Sequence, residues 1–151
     1  MNWPVGLGGK GNEGVSGLVK QTPGSIGYVE LIYAENNKPP YASLQNKSGK
    51  FVMPNMMTVT AAAASAVKNM PDDFRVSITN GEGKEAYPIS GFTYLLVYKQ
   101  MSDAGKAKKL VRFLRWSMKD GQKFAETLFY APLPKAIVGK IETRIGQVVT
   151  Q

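Results

Sequence analysis

The residues with the most to offer chemically stand together near the start of the chain, in Gly6-Leu7-Gly8-Gly9-Lys10-Gly11-Asn12-Glu13-Gly14-Val15. Four glycines in six positions allow positive φ and a close approach of the backbone to another group. Val15, Leu18 and Val19 behind them share one face of a helix. Asn12 is placed to cap the free N–H groups of that helix, and Glu13 suits the positive end of its dipole. Such a loop can cradle an anion; read plainly, it is a tight turn onto a short helix.

Two better-known phosphate signatures fit the same letters imperfectly. Gly6-x-Gly8-x-x-Gly11 spells the dinucleotide fingerprint, but that motif needs a buried strand just before it, and here only Met1 to Val5 precede, with Pro4 among them. Glu30 lies at the spacing of a ribose-binding acid, yet in an alternating stretch where a solvent-facing carboxylate is the plainer reading. A P-loop is excluded, because Gly11 follows Lys10 where the magnesium-binding hydroxyl should stand.

Cysteine and histidine are both absent. Thiolate nucleophiles, disulfides, imidazole bases and zinc sites built on sulfur or nitrogen go with them. The one adjacent acidic pair, Asp72-Asp73, follows Met70-Pro71 in a turn, where carboxylates are ordinarily solvated. No enzymatic activity, no cofactor and no bound metal are therefore expected. With 43% hydrophobic and 20% charged residues, the 151-residue chain suits a folded domain with a real core. It has no apolar run of about 18 residues to span a membrane, and MNWPVG lacks the basic and apolar regions of a signal peptide. The net charge is +8, and from Lys99 to Arg144 eleven basic residues face four acidic ones. This surplus can attract an anionic partner or simply keep the chain soluble.

The elements that must position these groups follow in order. Gln21 to Gly24 reads as a turn, and Ser25 to Tyr33 as a central strand, apolar on both faces. Tyr41 to Val52 reads as a hairpin about Asn46-Lys47-Ser48-Gly49. Pro54 is expected to open an alanine-rich helix that ends before Pro71. Phe74, Val76 and Ile78 alternate as a half-buried strand, closed by Asn80-Gly81-Glu82-Gly83. Phe92 to Tyr98 is the most continuous apolar stretch and is expected as a second central strand. Ala107, Leu110, Val111, Leu114 and Met118 then form the apolar stripe of a helix, with Lys108, Arg112, Arg115 and Lys119 opposite. A break at Asp120-Gly121, a connector at residues 130–134 and a last helix carrying Ile137, Val138, Ile141 and Ile145 complete the chain. The basic stripe reads as a solvated face, because no aromatic platform is evident beside it; nucleic acid is not expected as a partner.

Four segments together, WPVGLGGKGNEGV, TPGSIGYVEL, YPISGFTYLLVY and FLRWSMKDGQKFAETLFYAPLP, resemble the C-terminal half of the phosphate-binding proteins of phosphate ABC importers. The resemblance covers nearly the whole chain in order. It implies an α/β chain forming part of a two-lobed periplasmic-binding-protein fold of type II, with a mixed sheet flanked by helices. On that pattern residues 1–88 supply mainly second-lobe elements, and residues 89–151 supply the return strand and C-terminal helices of the first lobe. It further implies capture of inorganic phosphate by the complete protein and delivery to an ABC permease, in the periplasm or outside the cell.

The departure from that pattern is as informative as the match. The family's main phosphate contacts lie in its N-terminal half and in an Arg followed by a Ser-Gly-Thr helix start upstream of the Trp-Pro. No Ser-Gly-Thr occurs here, and Ser90-Gly91-Phe92-Thr93 sits on another element. No direct phosphate ligand carries over; Gly9, Lys10, Gly11 and Asn12 are left as residues that support a phosphate cleft from behind. The expectation is a C-terminal fragment or split form that covers its missing N-terminal half with a partner or by self-association. The alternatives are a free-standing adaptor or self-assembling protein on the same fold and, further off, a nucleic-acid binder acting through the basic third.

Overall fold

A computed structural model describes residues 4–150; Met1, Asn2, Trp3 and Gln151 lie outside the described residues, and with them most of the stretch expected to precede the glycine loop. The chain divides into two compact units, Met1–Ala42 and Ser43–Gln151.

The first unit is built on two helices, α1 (Gly11–Gln21) and α2 (Leu31–Asn37). The predicted helix behind the glycine loop is therefore present, and it ends at the expected turn, where the Thr22 N–H reaches the Leu18 carbonyl at 3.0 Å. The predicted central strand at Ser25–Tyr33 is not. Residues 25–30 pair with no strand among the described residues, and the chain turns helical at Leu31. Leu, Ala and Glu in 31–37 favour a helix locally, and no neighbouring strand competes for their N–H groups. Ile26 and Tyr28 are consequently 97% and 75% exposed. The linking segment passes α1 at Gly27, where a Cβ would stand only 2.7 and 2.9 Å from Val19 and Val15 methyls.

The second unit opens on the predicted hairpin, β1 (Leu44–Gln45) antiparallel to β2 (Phe51–Val52), with Leu44 opposite Val52. Asn46, buried in its turn, uses every polar atom of its side chain. Its Nδ2 donates to the carbonyls of Gly83, Lys84 and Ala86 at 3.3, 2.8 and 3.2 Å. Its Oδ1 accepts from the Ser48 and Lys50 N–H groups and the Ser48 hydroxyl. Ion pairs Lys47–Glu82 and Lys50–Glu85 flank this clamp, both exposed and each worth at most about 1 kcal/mol.

Helix α3 (Met56–Ser65) begins two residues after Pro54, the residue predicted to open it. Asn55 takes the cap instead, in a reciprocal box in which the Thr58 N–H donates to Asn55 Oδ1 and the Asn55 N–H to Thr58 Oγ1, both at 3.0 Å. A carboxamide satisfies an orphan donor that proline cannot. The helix passes through a 3-10 turn and stops before Pro71 as predicted. Its alanines are the close-packing face, with Ala62, Ala63 and Ala66 joining Met70, Ile78, Ala86 and Ile137 in the core.

The Phe74–Ile78 strand is replaced by an irregular run. Phe74 takes positive φ, and the Val76 N–H bonds back to the Phe74 carbonyl at 2.8 Å. The alternation still marks the inward residues, since Ile78 is buried while Ser77 and Thr79 are exposed. Phe92–Tyr98 is likewise unpaired, and Leu95, Leu96 and Tyr98 are 66%, 97% and 83% exposed. The observed pairing is β3 (Gln100–Met101) parallel to β4 (Val149–Thr150). Helix-rich, with two two-stranded ladders, the chain carries no larger mixed sheet among its described residues.

The C-terminal helices stand where predicted: α4 (Ala104–Met118), capped by Asp103 at 2.9 Å from the Lys106 N–H, then α5 (Gln122–Ala125) after the break, and α6 (Lys135–Ile145). They bury Ala107, Leu114, Ile137 and Ile145.

Asn46→Ala leaves three carbonyls and two N–H groups without their side-chain partner, and is expected to cost about 1–3 kcal/mol in urea unfolding. Asn46→Asp should cost more, because it turns a carboxylate oxygen toward those carbonyls.

Candidate functional site

The glycine-rich loop is the one place where sequence chemistry and backbone geometry converge. Gly9 folds back on the first turn of α1 so closely that a Cβ there would lie 2.6 Å from the Val15 nitrogen and 2.7 Å from the Gly14 carbonyl carbon. Gly11 opens the helix at a φ of +67°. Lys10 takes the cap position with no side-chain cap, its side chain exposed, and its carbonyl accepts from the Gly14 N–H at 3.2 Å.

Asn12, expected as the cap, does other work. Its Oδ1 accepts the Glu30 N–H at 2.9 Å, so the carboxamide ties the first turn of α1 to the residue that precedes α2. Eighteen residues separate the pair, and local pattern reading cannot see such a bond. Glu13 does lie in the first turn as expected. Its carboxylate takes a hydrogen bond from its own backbone N–H and another from the Tyr33 hydroxyl at 2.9 Å, and these lower its pKa in that order of importance. The same carboxylate raises the Tyr33 phenol.

The consequence for anion binding is direct. Oriented N–H groups and the helix dipole attract negative charge to the start of α1, and Glu13 already supplies some. A second anion there meets like charge.

The other sequence candidates are also placed. Asp73 is turned onto Arg75, accepting from the guanidinium at 2.7 Å and from its backbone N–H at 3.1 Å, which lowers its pKa and ties it to a cation. The basic stripe is exposed, with Lys108, Arg112 and Arg115 on α4 and Lys119 at its C-terminal cap. A row of rings absent from the sequence reading accompanies it. Phe113 stacks on Trp116, and Phe124 lies tilted against Trp116, with both centroid separations 6.0 Å. The spacing of Phe113 and Trp116, three apart on a helix, carried that signal. All three rings remain about half exposed.

Comparison with known proteins gives consistent relatives. The chain matches the PBP superfamily domain over residues 3–120. It is 46% identical over 142 residues to the phosphate-binding protein PstS of Xylella fastidiosa strain 9a5c, covering 94% of this chain and 39% of that protein. The phosphate-binding protein PstS of Pasteurella multocida is 40% identical, over 95% of this chain and 42% of its own length. That of Methanocaldococcus jannaschii is 39% identical, over 82% and 36%. The chain thus spans about two-fifths of the curated relatives it matches.

Two outcomes test the geometry. Gly9→Ala forces backbone apart at the loop and is expected to cost about 1–3 kcal/mol, while Gly8→Ala, with open space around its Cβ, is expected to leave stability almost unchanged. Glu13 has a folded pKa below its ordinary value of 4.5, so its contribution is full above that pH and is lost as pH falls through the lower folded value. The stability gap between the native chain and Glu13→Gln, followed by thermal melts, should close on acidification through that range.

Proposed function

This chain belongs to the PBP superfamily as a relative of the PstS phosphate-binding proteins, and from that membership we propose that it serves phosphate capture for an ABC-type importer, as part of a solute-binding protein and not as an enzyme. The observation that carries the reading is the 46% identity sustained over 94% of the chain. Relatives named as binding proteins support the non-enzymatic role.

Within this reading, residues 1–88 contribute mainly to one lobe and residues 89–151 to the other, and the working partners are inorganic phosphate and an ABC permease. The proposed location is periplasmic or extracellular; among the described residues no helix is long and apolar enough to cross a membrane. Gly9, Lys10, Gly11 and Asn12 are proposed as backing for the phosphate cleft. Asn12 braces the loop against the start of α2, and the Glu13 carboxylate discourages direct anion contact at the helix start. The direct ligands are then supplied by polypeptide beyond this chain.

A self-assembling adaptor is the second reading, favoured by exposed apolar residues such as Leu96 and Tyr98. Nucleic acid is not proposed as a partner, since the relatives that carry the reading are named as phosphate-binding proteins.

The energetics set the expected result. An isolated helix start contributes about 0.3–1 kcal/mol to an exposed anion, whereas micromolar affinity requires about 8 kcal/mol. Calorimetric titration of the purified chain with phosphate should therefore detect no micromolar site. A micromolar, one-to-one isotherm from this chain alone would defeat the proposal that its ligands come from elsewhere.

A further inference from the structure

Of the eight asparagines in the chain, Asn80 alone is followed by glycine. Glycine carries no Cβ to shield its nitrogen, so the Gly81 amide is the one most open to reaction with the carboxamide that precedes it. The surroundings single out the same residue. Asn12, Asn37, Asn46 and Asn55 each commit a side-chain polar atom to a hydrogen bond. The Asn80 side chain makes none among the described residues, and the residue is exposed. Its backbone sits at a φ of +50°, a region that a residue with a Cβ leaves with relief of strain. The Asn80 N–H is well held, donating to the Pro88 carbonyl at 2.7 Å. The Gly81 N–H reaches the Ile78 carbonyl only at 3.3 Å, past the usual range for such a bond.

We propose that Asn80–Gly81 is a self-modification site, at which the chain deamidates in its folded state and loosens the 78–88 loop from the core. The Gly81 nitrogen gives up its proton and bonds to Asn80 Cγ. The Cγ–Nδ2 bond breaks, and Nδ2 leaves with a proton as ammonia, closing a succinimide ring. Water then opens the ring at either carbonyl, giving aspartate or isoaspartate at position 80; nothing is oxidised or reduced. The two products act differently on the fold. Aspartate keeps the backbone path and tolerates positive φ, while adding a negative charge two residues from Glu82. Isoaspartate routes the main chain through the side-chain carbons and so lengthens it by one atom. The turn has no slack for that atom. Asn80 is tied to Pro88 on one side, and on the other Gly81 lies against α3, where even a Cβ would stand 2.6 Å from Ser65 Oγ. Ile78 behind the turn is buried, and Ala86 beyond it wholly so. The isoaspartyl chain therefore gives up one of these contacts. The inference is independent of what the chain binds.

The test ages the purified chain in mildly alkaline buffer, locates deamidation by peptide mapping, and identifies isoaspartate with an isoaspartyl methyltransferase. With no Cβ on the following residue, Asn80 is expected to react at least about tenfold faster than Asn36 or Asn69, which also lack a side-chain bond among the described residues. Ion exchange then separates the products. The isoaspartyl form should melt lower than the native chain and lose exchange protection at the residue 80 amide, while the aspartyl form melts close to it. Asn80→Gly keeps the positive φ and the N–H to Pro88, and should age without either change. If Asn80 stays intact in the folded chain over a period in which the urea-unfolded chain is modified there, the turn protects it and the site is overturned. An isoaspartyl form as stable and as protected as the native chain would overturn the loosening. So would an Asn80→Gly variant that loses stability on the same schedule.

Discussion

The second unit depends on the Asn46 carboxamide. The hairpin that carries it has only two residue pairs, too few to persist in water unaided. The clamp fixes residues 83–86, bringing Ala86 to zero exposure in the core, and the next residue continues the chain of restraints as the Tyr87 N–H reaches the Thr58 carbonyl at 3.1 Å. Thr58 is also half of the capping box that starts α3. One buried side chain, satisfied at both ends, thus links a turn, a loop and a helix that are distant in sequence. A buried amide meeting all its partners specifies a single arrangement; one missing them would penalise it.

In the first unit the comparable constraint is electrostatic. Glu13 complements the dipole of α1 and receives the Tyr33 hydroxyl, so α1 and α2 are held by polar contacts at their starts more than by burial. Ser16 and Ala34 are the buried residues of those helices. A loop held this way is a stable bracket. Its free charge has been used internally.

What was legible in the sequence was local. The α4 and α6 stripes, the stop before Pro71, the Asn46–Gly49 turn and the alanine core face each follow from residues within a few positions of one another. The resemblance read from four segments also led to the superfamily now shown. Strands were less legible because their stability lies in a partner. Phe92–Tyr98 has the composition of a strand and no ladder, and Ser25–Tyr33 lost its C-terminal residues to a helix that needed none. Asn12 and Asn46 escaped for a related reason: each was read by its neighbours, as a cap and as a turn residue, while the bonds that matter reach residues 18 to 40 positions away. Pro54 and Asn55 show a finer limit, a boundary decided by which of two plausible residues can accept an N–H.

The row Phe113–Trp116–Phe124 spans the break between α4 and α5, with the indole between a ring from its own helix and one from the next. Side-chain packing therefore continues across the break at Lys119–Gly121, where the helical backbone does not. Rings packed over a backbone break make it a splinted joint, in which the two helices share one aromatic surface.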